Sequence, residues 1–205
     1  PISITAISGD QLRLSGAGNL EGLSDSLPNV TIADSPGVTR VVIRGLGSGA
    51  GNAGFEQSVG MYVDGIYASR AALFQSPFLD LARVEVLKGP QGVLFGKNSI
   101  AGALSLVSNR PSEVFDAEIT GTYDFEYDSN ELTGFVSGPL MDGLFGRLTA
   151  RASQDKSYMD NDLHAEGVPG TDTDVARGML LWDATDNTEV LLKVETSTLD
   201  EHGGN

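Results

Sequence analysis

The sequence predicts two parts: an α+β domain with a small mixed sheet and short helices, then a series of antiparallel β-strands. Two observations support this division. Short apolar segments at residues 83–87 and 103–107 flank a glycine-dense turn, which is the pattern of two strands around a loop. After Val114, apolar and polar residues alternate over five successive segments, which is the period of a β-strand. The two predicted domains are residues 1–112 and 113–205.

Composition excludes several kinds of site. The 205 residues include no cysteine, 13 Lys and Arg, and 28 Asp and Glu, for a net charge of −15. Without cysteine there is no disulfide framework, thiolate metal site or cysteine nucleophile. Nucleic-acid binding needs clustered Lys and Arg, so the acidic balance argues against nucleic acid as a partner. His164 and His202 lie far apart in polar sequence, and we expect no metal site.

Local patterns predict the first elements of the N-terminal domain. Ile2, Ile4 and Ala6 alternate with polar residues, which predicts a half-buried strand with these three on the apolar side. Ser8 and Gln11 have the spacing of a capping box, so a short helix should begin there.

A second helix is predicted over residues 19–27. Leu20, Leu23 and Leu27 would share one of its faces, and Pro28 would end it because proline cannot continue the hydrogen-bond ladder. Short strands are predicted at residues 30–32, 41–43, 59–64, 83–87 and 103–107.

Two glycine patterns look like phosphate-binding loops. Residues 49–54 match G-x-G-x-x-G, with Asp64 near the position of a ribose-binding acid. Only four residues separate this pattern from the next strand, too few for the helix that would hold the pyrophosphate. In residues 89–98, Gln91 and Asn98 break the G-x-x-x-x-G-K-[ST] pattern, and a strand follows instead of a helix. A nucleotide-binding enzyme is therefore disfavoured. We expect no catalytic residue, no cofactor and no enzymatic activity.

The alternating segments predict five strands, at residues 118–127, 131–138, 144–153, 175–183 and 189–196. In the first, Ile119, Tyr123, Phe125 and Tyr127 lie on one face, opposite a charged face. Trp182 lies at the opposite end of the fourth strand. No run of about 18 apolar residues occurs, which excludes a transmembrane helix.

These strands favour a transmembrane β-barrel, with the apolar face towards lipid, the charged face towards a wet lumen, and aromatic residues at the interfaces. A soluble antiparallel sandwich remains the alternative from the pattern alone, because its core would take the same apolar residues. The apolar faces contain many Gly and Ala. Their side chains are too small to fill a sandwich core well, but a face against lipid tolerates them.

A series of motifs runs through both parts of the chain. In order and spacing, it resembles the TonB-dependent outer-membrane receptors, in which an N-terminal plug domain precedes the barrel that encloses it. The motifs are VIRG at 42–45, YVDG at 62–65, RVEVLKGP at 83–90, FG at 95–96, AGAL at 101–104 and NRP at 109–111.

The resemblance implies that residues 1–112 are an N-terminally truncated plug. Residues 113–205 would be the first five or so strands of a barrel of about 22 strands, which is incomplete in this chain. It also implies a location in the outer membrane of a Gram-negative bacterium, as a multi-pass β-barrel. We expect the chain to be a fragment, with a periplasmic coupling segment ahead of Pro1.

The resemblance also implies two sets of functional residues. Arg44 and Lys88 would lock the plug to carboxylates of the barrel. Lys88 stands where the family more often has arginine, and a lysine gives up bidentate pairing. Outward loops of the plug would bind the ligand through Asn52, Phe55, Gln57, Arg70, Phe74 and Gln75.

The implied function is active import of a scarce, bulky solute, most often a ferric chelate such as a siderophore complex. TonB and its inner-membrane energising complex would act through the preceding segment. The expected partners are therefore TonB, the small-molecule ligand and outer-membrane lipid. A cobalamin or oligosaccharide receptor of the same family is one alternative, and a structural or adhesive outer-membrane barrel protein is the other.

Overall fold

The structure is a computed structural model that describes residues 3–16, 18–35, 38–47, 58–68, 78–90, 92, 99–126, 128–155 and 170–202. The chain divides into two units, Pro1–Asn109 and Arg110–Asn205, which we call the N-terminal and C-terminal units. The predicted loop residues Asn52, Phe55, Gln57, Arg70, Phe74 and Gln75 lie outside the described residues.

The N-terminal unit contains a mixed five-stranded sheet in the order β1-β7-β8-β5-β6. Strand β5 pairs with β8 in parallel, and the other pairs are antiparallel. The strands are β1 (Ser3–Ser8), β5 (Val59–Val63), β6 (Ile66–Tyr67), β7 (Leu81–Lys88) and β8 (Gly102–Ser108). A second antiparallel sheet consists of β2 (Val30–Ser35), β3 (Val38–Ile43) and β4 (Leu46–Gly47).

The predicted capping box is confirmed. Helix α1 (Gly9–Ser15) begins after Ser8, whose side chain accepts from the Gln11 backbone N–H while the Gln11 side chain accepts from the Ser8 backbone N–H. These reciprocal bonds satisfy two N–H groups that a helix start leaves free. Gly16 ends the helix in the left-handed conformation, with φ of 70°, which glycine adopts without steric cost.

The predicted helix over residues 19–27 is shorter and tighter than expected. It is a 3₁₀ helix, Glu21–Ser26, because Gly and Ser residues in this segment are poor α-helix formers and Pro28 follows at once. Its leucines occupy the predicted role, since Leu20, Leu23 and Leu27 are at most 2% exposed.

The predicted buried side of the first strand is wrong. Ile4 is 57% exposed and Ala6 is exposed, whereas Thr5 and Ile7 are half-buried. Ile7 packs against the main core. Successive side chains of a strand point to opposite faces. The register of β1 with β7 therefore decides whether Ile4 and Ala6, or Thr5 and Ile7, face the core.

The core of the N-terminal unit lies against one face of its five-stranded sheet. It joins Leu12 of α1 and leucines of the 3₁₀ helix to residues of the sheet. The strand residues Val59, Val84, Val86 and Leu104 are each at most 1% exposed. Tyr62, Leu87 and Ala103 form a separate small cluster.

The C-terminal unit is one antiparallel sheet in the order β13-β12-β11-β10-β9. Its strands are β9 (Asp116–Asp124), β10 (Ser129–Met141), β11 (Leu144–Asp155), β12 (Gly170–Thr185) and β13 (Thr188–His202). Consecutive strands are neighbours throughout, so the unit is a meander.

Several predicted strand ends are wrong. Strand β9 ends at Asp124, so Phe125 lies in the following turn, and Tyr127 is outside the described residues. Strand β10 runs through Pro139, which pairs with Phe145 beside an irregularity in register; such irregularities are where a sheet accepts proline. Strands β12 and β13 stay paired from Gly170 with His202 to Thr185 with Thr188. They are longer than predicted because continuous pairing gives hydrogen-bond partners to the backbone N–H and C=O groups.

The two ends of this sheet differ. At one, tight turns at Asp142 and Gly143 and at Asp186 and Asn187 join the strands; we call it the tight-turn end. At the opposite end, longer connections follow Asp124 and Asp155, and we call it the long-loop end.

The two faces of the sheet differ as the alternation predicts. One face, which we call the apolar face, carries exposed large side chains. They include Ile119, Leu132, Val136, Leu148, Leu180, Trp182, Leu192 and Val194, which are between 41% and 75% exposed. The opposite face carries charged and polar residues, several of them buried, including Arg147, Thr149, Arg177 and Ser153; the buried apolar residues Val175, Met179 and Leu181 of β12 lie on it too.

No helix within the described ranges is long and apolar enough to cross a membrane.

Gly102 should tolerate no side chain. It has φ of 155°, and an added Cβ would lie 2.3 Å from the Leu87 carbonyl oxygen and 2.9 Å from Ile43 Cδ1. We expect Gly102→Ala to lower the stability of the β7–β8 pair by about 3 kcal/mol, because the strands would have to separate. Amide hydrogen exchange of residues 81–88 in the intact protein measures this loss. Gly92→Ala is the control, since its added Cβ meets nothing within 4 Å; equal protection in both variants would contradict the prediction.

Candidate functional site

A tight turn between the 3₁₀ helix and β2 organises the predicted lock residues. Pro28 and Asn29 form it, with Asn29 at φ of 62° and the Val30 backbone N–H donating to the Leu27 carbonyl at 3.3 Å. Proline followed by a residue of positive φ is the signature of a type II turn. The turn therefore presents two carbonyl groups, those of Pro28 and Asn29.

Lys88 binds the first of these carbonyls. Its ammonium donates to the Pro28 carbonyl oxygen at 2.8 Å, and the residue is 8% exposed. In the described part of the chain this neutral oxygen is the ammonium's one hydrogen-bond acceptor, although an ammonium carries three donors. A buried charge with one neutral acceptor is poorly compensated for its lost hydration.

Arg44 binds the second carbonyl through its backbone. The Arg44 N–H donates to the Asn29 carbonyl oxygen at 2.8 Å, while its side chain is exposed. The structure thus brings both predicted lock residues to one turn, Lys88 by its side chain and Arg44 by its main chain. Their pairing with barrel carboxylates stays a prediction.

The VIRG and YVDG motifs each end in a two-residue hairpin turn, and the two turns are of the same type. Arg44 and Gly45 have φ of 53° and 80°, and Asp64 and Gly65 have φ of 49° and 79°. Positive φ at both positions defines a type I′ turn, which favours Asn, Asp or Gly at the first. Asp64 fits that preference, but Arg44 does not, and left-handed backbone at such a residue costs about 1–2 kcal/mol. Arg44 therefore carries a backbone cost that Asp64 does not.

Asp64 also fastens the far end of β8. Its two carboxylate oxygens accept from the Ser108 backbone N–H at 2.7 Å and from the Ser108 hydroxyl at 2.9 Å. Asn109 then donates through its side chain to the Asp80 carboxylate at 2.7 Å. The sequence indicated Asp64 only as a residue near the ribose-binding position of a disfavoured motif and as part of YVDG, because its partner Ser108 lies 44 residues away and no local pattern indicates the pair.

Tyr62 and Tyr67 form an aromatic pair across the second hairpin, with ring centroids 5.5 Å apart. Burial raises the pKa of the Tyr62 phenol above its ordinary value, and the neighbouring Tyr67 raises it further. Tyr62 is therefore a neutral hydrogen-bonding group, not a titrating one, near neutral pH.

The polar face of the C-terminal sheet carries its own ion pairs. Arg177 Nε lies 2.6 Å from Glu195, and Arg151 lies 2.8 Å from Glu131. The Arg147 guanidinium stacks 3.8 Å from the centroid of the Phe135 ring, a cation–π arrangement.

Charge is divided unequally between the two units. Residues 1–109 carry seven basic and eight acidic residues, and residues 110–205 carry six and twenty. The net charges are therefore −1 and −14. Among the described residues no group of three or more His, Cys, Asp or Glu could hold a metal ion.

Comparison with known proteins decides the family. Residues 1–103, half of the chain, match the family model described as the TonB-dependent receptor plug domain. The chain belongs to this family. The N-terminal unit contains the plug, and the VIRG and YVDG motifs that carried the resemblance are its two type I′ hairpins.

Two curated relatives are named as receptors. The chain is 29% identical over 161 residues to the pesticin receptor of Yersinia pestis, a match that covers 78% of this chain and 24% of the relative. It is 26% identical over 217 residues to the ferripyoverdine receptor of Pseudomonas aeruginosa, covering 99% of this chain and 24% of the relative. The chain spans about a quarter of the length of these relatives.

A solved structure is similar to nearly the whole chain. The ferric yersiniabactin uptake receptor of Yersinia pestis matches with a TM-score of 0.86 at 26% identity, over 96% of this chain and 31% of that one. The predicted fold class is confirmed: an α+β plug is followed by antiparallel strands of a barrel, and the sheet of these strands is open in this chain.

The Asp64 carboxylate should be a main support of the plug sheet. We expect Asp64→Ala to lower the stability of β8 by about 2–3 kcal/mol, because it removes hydrogen bonds to a charged acceptor and leaves the Ser108 N–H without its partner. Asp64→Asn should lose about half as much, since asparagine tolerates the left-handed turn and keeps one acceptor. Amide exchange across residues 102–108 in the intact protein measures both.

Asp10→Ala is the matched control, because Asp10 forms an exposed ion pair with Arg13 that contributes little. If Asp64→Ala leaves the exchange of β8 as slow as Asp10→Ala does, the fastening role of Asp64 is wrong.

Proposed function

We propose that this chain is part of a receptor that imports a ferric-siderophore complex across the outer membrane of a Gram-negative bacterium, energised through TonB. The observation that carries the proposal is the plug-family match, joined to similarity with receptors named for ferripyoverdine and ferric yersiniabactin. The ligand undergoes no covalent change, so the receptor is a transporter and not an enzyme. The ligand would bring its own iron-coordinating groups.

The dimensions of the C-terminal sheet support a membrane-spanning role. Tyr123 pairs with Asn130, and Trp182 pairs with Leu144, whose other partner is Met141. The eleven residue steps from Asn130 to Met141 correspond to about 36 Å along the strand. If the strand is tilted by about 45° from the barrel axis, this length spans about 26 Å along the axis. That span is close to the height of about 25 Å of the apolar band in outer-membrane barrels.

The aromatic residues at the two limits of this band support the same role. Tyr123 and Phe125 form an edge-to-face pair at the long-loop end, with ring centroids 4.9 Å apart. Trp182 is 52% exposed near the tight-turn end. Exposed aromatic side chains at both limits of an apolar band are typical of membrane interfaces.

The environments of Lys88 and Arg44 are evidence that ion pairs hold the plug in place. The Lys88 ammonium is buried with a single neutral acceptor in the described residues, and Arg44 is kept in an unfavourable turn position with an exposed guanidinium. Both groups have hydrogen-bond donors left for a carboxylate. We propose that barrel carboxylates are those partners, and that Asn52, Phe55, Gln57, Arg70, Phe74 and Gln75 contact the ligand.

If Arg44 and Lys88 hold the plug in place, removing both should reduce transport without reducing the amount of receptor at the cell surface. Arg44→Ala combined with Lys88→Ala should lower uptake of an ⁵⁵Fe-labelled siderophore at least tenfold per receptor at the cell surface, because the plug loses the two cations that seat it. The full-length receptor that contains this chain is the protein to test. Arg13→Ala, which removes an exposed arginine of α1, is the control and should transport normally.

Three other outcomes would change the proposal. Wild-type uptake by the double variant would contradict the lock. Receptor abundance unchanged by iron limitation, with transport of cobalamin or an oligosaccharide, would replace the ferric ligand. A receptor that takes up none of these solutes but mediates attachment would favour the adhesive alternative.

A further inference from the structure

A groove crosses the apolar face of the C-terminal sheet towards its tight-turn end. Its cavity volume is about 570 Å³. Three glycines from β10, β11 and β12 form its floor, and large apolar side chains form its walls. Among these lining residues are Gly138, Gly146, Gly178, Val136, Leu148 and Leu180.

The register of the strands explains the groove. Gly138 pairs with Gly146, and Gly178 pairs with Leu148, so side chains are missing on adjacent strands at neighbouring levels. Leu140 packs over Gly146, where an added Cβ would lie 2.9 Å from its Cδ1. At Gly178 an added Cβ would meet nothing within 4 Å. The open part of the floor is therefore at Gly178.

The walls suit a hydrocarbon chain. Val136, Leu148, Leu192 and Val194 are between 42% and 64% exposed, and each is apolar. The groove lies between the centre of the apolar band and the level of Trp182. Given the proposed membrane location, on which this inference rests, short turns mark the periplasmic side, so the groove faces the periplasmic leaflet.

The charge around the tight-turn end selects among lipids. Three exposed carboxylates lie in the turns of this end and in the segment before β9: Asp142, Asp186 and Glu113. Asp116 and Asp183 are exposed there too, but their neighbours Ala117 and Trp182 are on the apolar face, so these two are on the opposite one. Glu189 lies there too, but it is ion-paired with Arg110. Negative charge at headgroup level repels an anionic phosphate headgroup and attracts an amine. We propose that this groove binds an acyl chain of a phospholipid with an amine headgroup, of the phosphatidylethanolamine class, in preference to an anionic phospholipid.

Native mass spectrometry of the full-length receptor tests the proposal. The receptor is equilibrated in mild detergent with equal amounts of phosphatidylethanolamine and phosphatidylglycerol that carry the same acyl chains. We expect bound phosphatidylethanolamine to exceed phosphatidylglycerol at least fivefold. In Asp142→Asn with Asp186→Asn, the ratio should fall towards one, because two headgroup-level charges are gone.

Gly178→Leu should lower the number of bound lipids by one, because the new side chain fills the open floor. Gly121→Leu is the matched control, the same substitution on the same face nearer the long-loop end, where an added Cβ would meet only Leu132 Cδ1 at 3.9 Å; it should leave lipid binding unchanged.

Three results would overturn the inference: preference for phosphatidylglycerol in the wild type, full lipid binding by Gly178→Leu, or a receptor dimer that Gly178→Leu dissociates. Any of these in a receptor that still imports its ferric chelate would leave the proposed function standing. Absence of the receptor from the outer-membrane fraction would overturn both.

Discussion

The antiparallel pairing of β7 with β8 is the interaction on which the plug depends. These strands lie at the centre of the five-stranded sheet, with β1 added on one side and β5 on the other. Their inward side chains, Val84, Val86 and Leu104, are fully buried in the main core. Both ends of the pair are fastened to distant chain: Lys88 to the Pro28 carbonyl and Ser108 to the Asp64 carboxylate. Strand β5 pairs with β8 directly, and apolar residues of the 3₁₀ helix, β2 and β3 join the same core as Val84, Val86 and Leu104.

The two units satisfy different constraints. The plug is nearly neutral and buries leucine and valine in a conventional core. Residues 110–205 carry most of the negative charge of the chain, and one face of their sheet exposes many large apolar residues. That combination is unfavourable for a sheet surrounded by water on both faces, and it suits one whose apolar face meets lipid while its charges sit at the ends and on the opposite face. Arginines of the polar face are paired within the sheet itself, as Arg177 is with Glu195.

Much of the fold could be predicted because its signals are local. The capping box of Ser8 and Gln11, the alternation of β9 to β13 and the strands around the glycine-dense turn each depend on residues close in sequence. The errors have two causes. The buried side of β1 is set by β7, about 80 residues away. Strand β10 continues through Pro139 because pairing with Phe145 across the hairpin overrides the local signal of proline. In the site, Arg44 and Lys88 were identified by resemblance, but their convergence on one turn and the fastening of Ser108 by Asp64 required the tertiary structure.

The left-handed conformation of Arg44 has a consequence for engineering. A screen for thermal stability would favour asparagine or glycine here, since either relieves the turn, and the plug would gain stability while it lost a guanidinium. Libraries built on this scaffold should therefore hold Arg44 constant or score it by transport. Under the proposed lock, foldability and transport impose opposite demands on this one side chain.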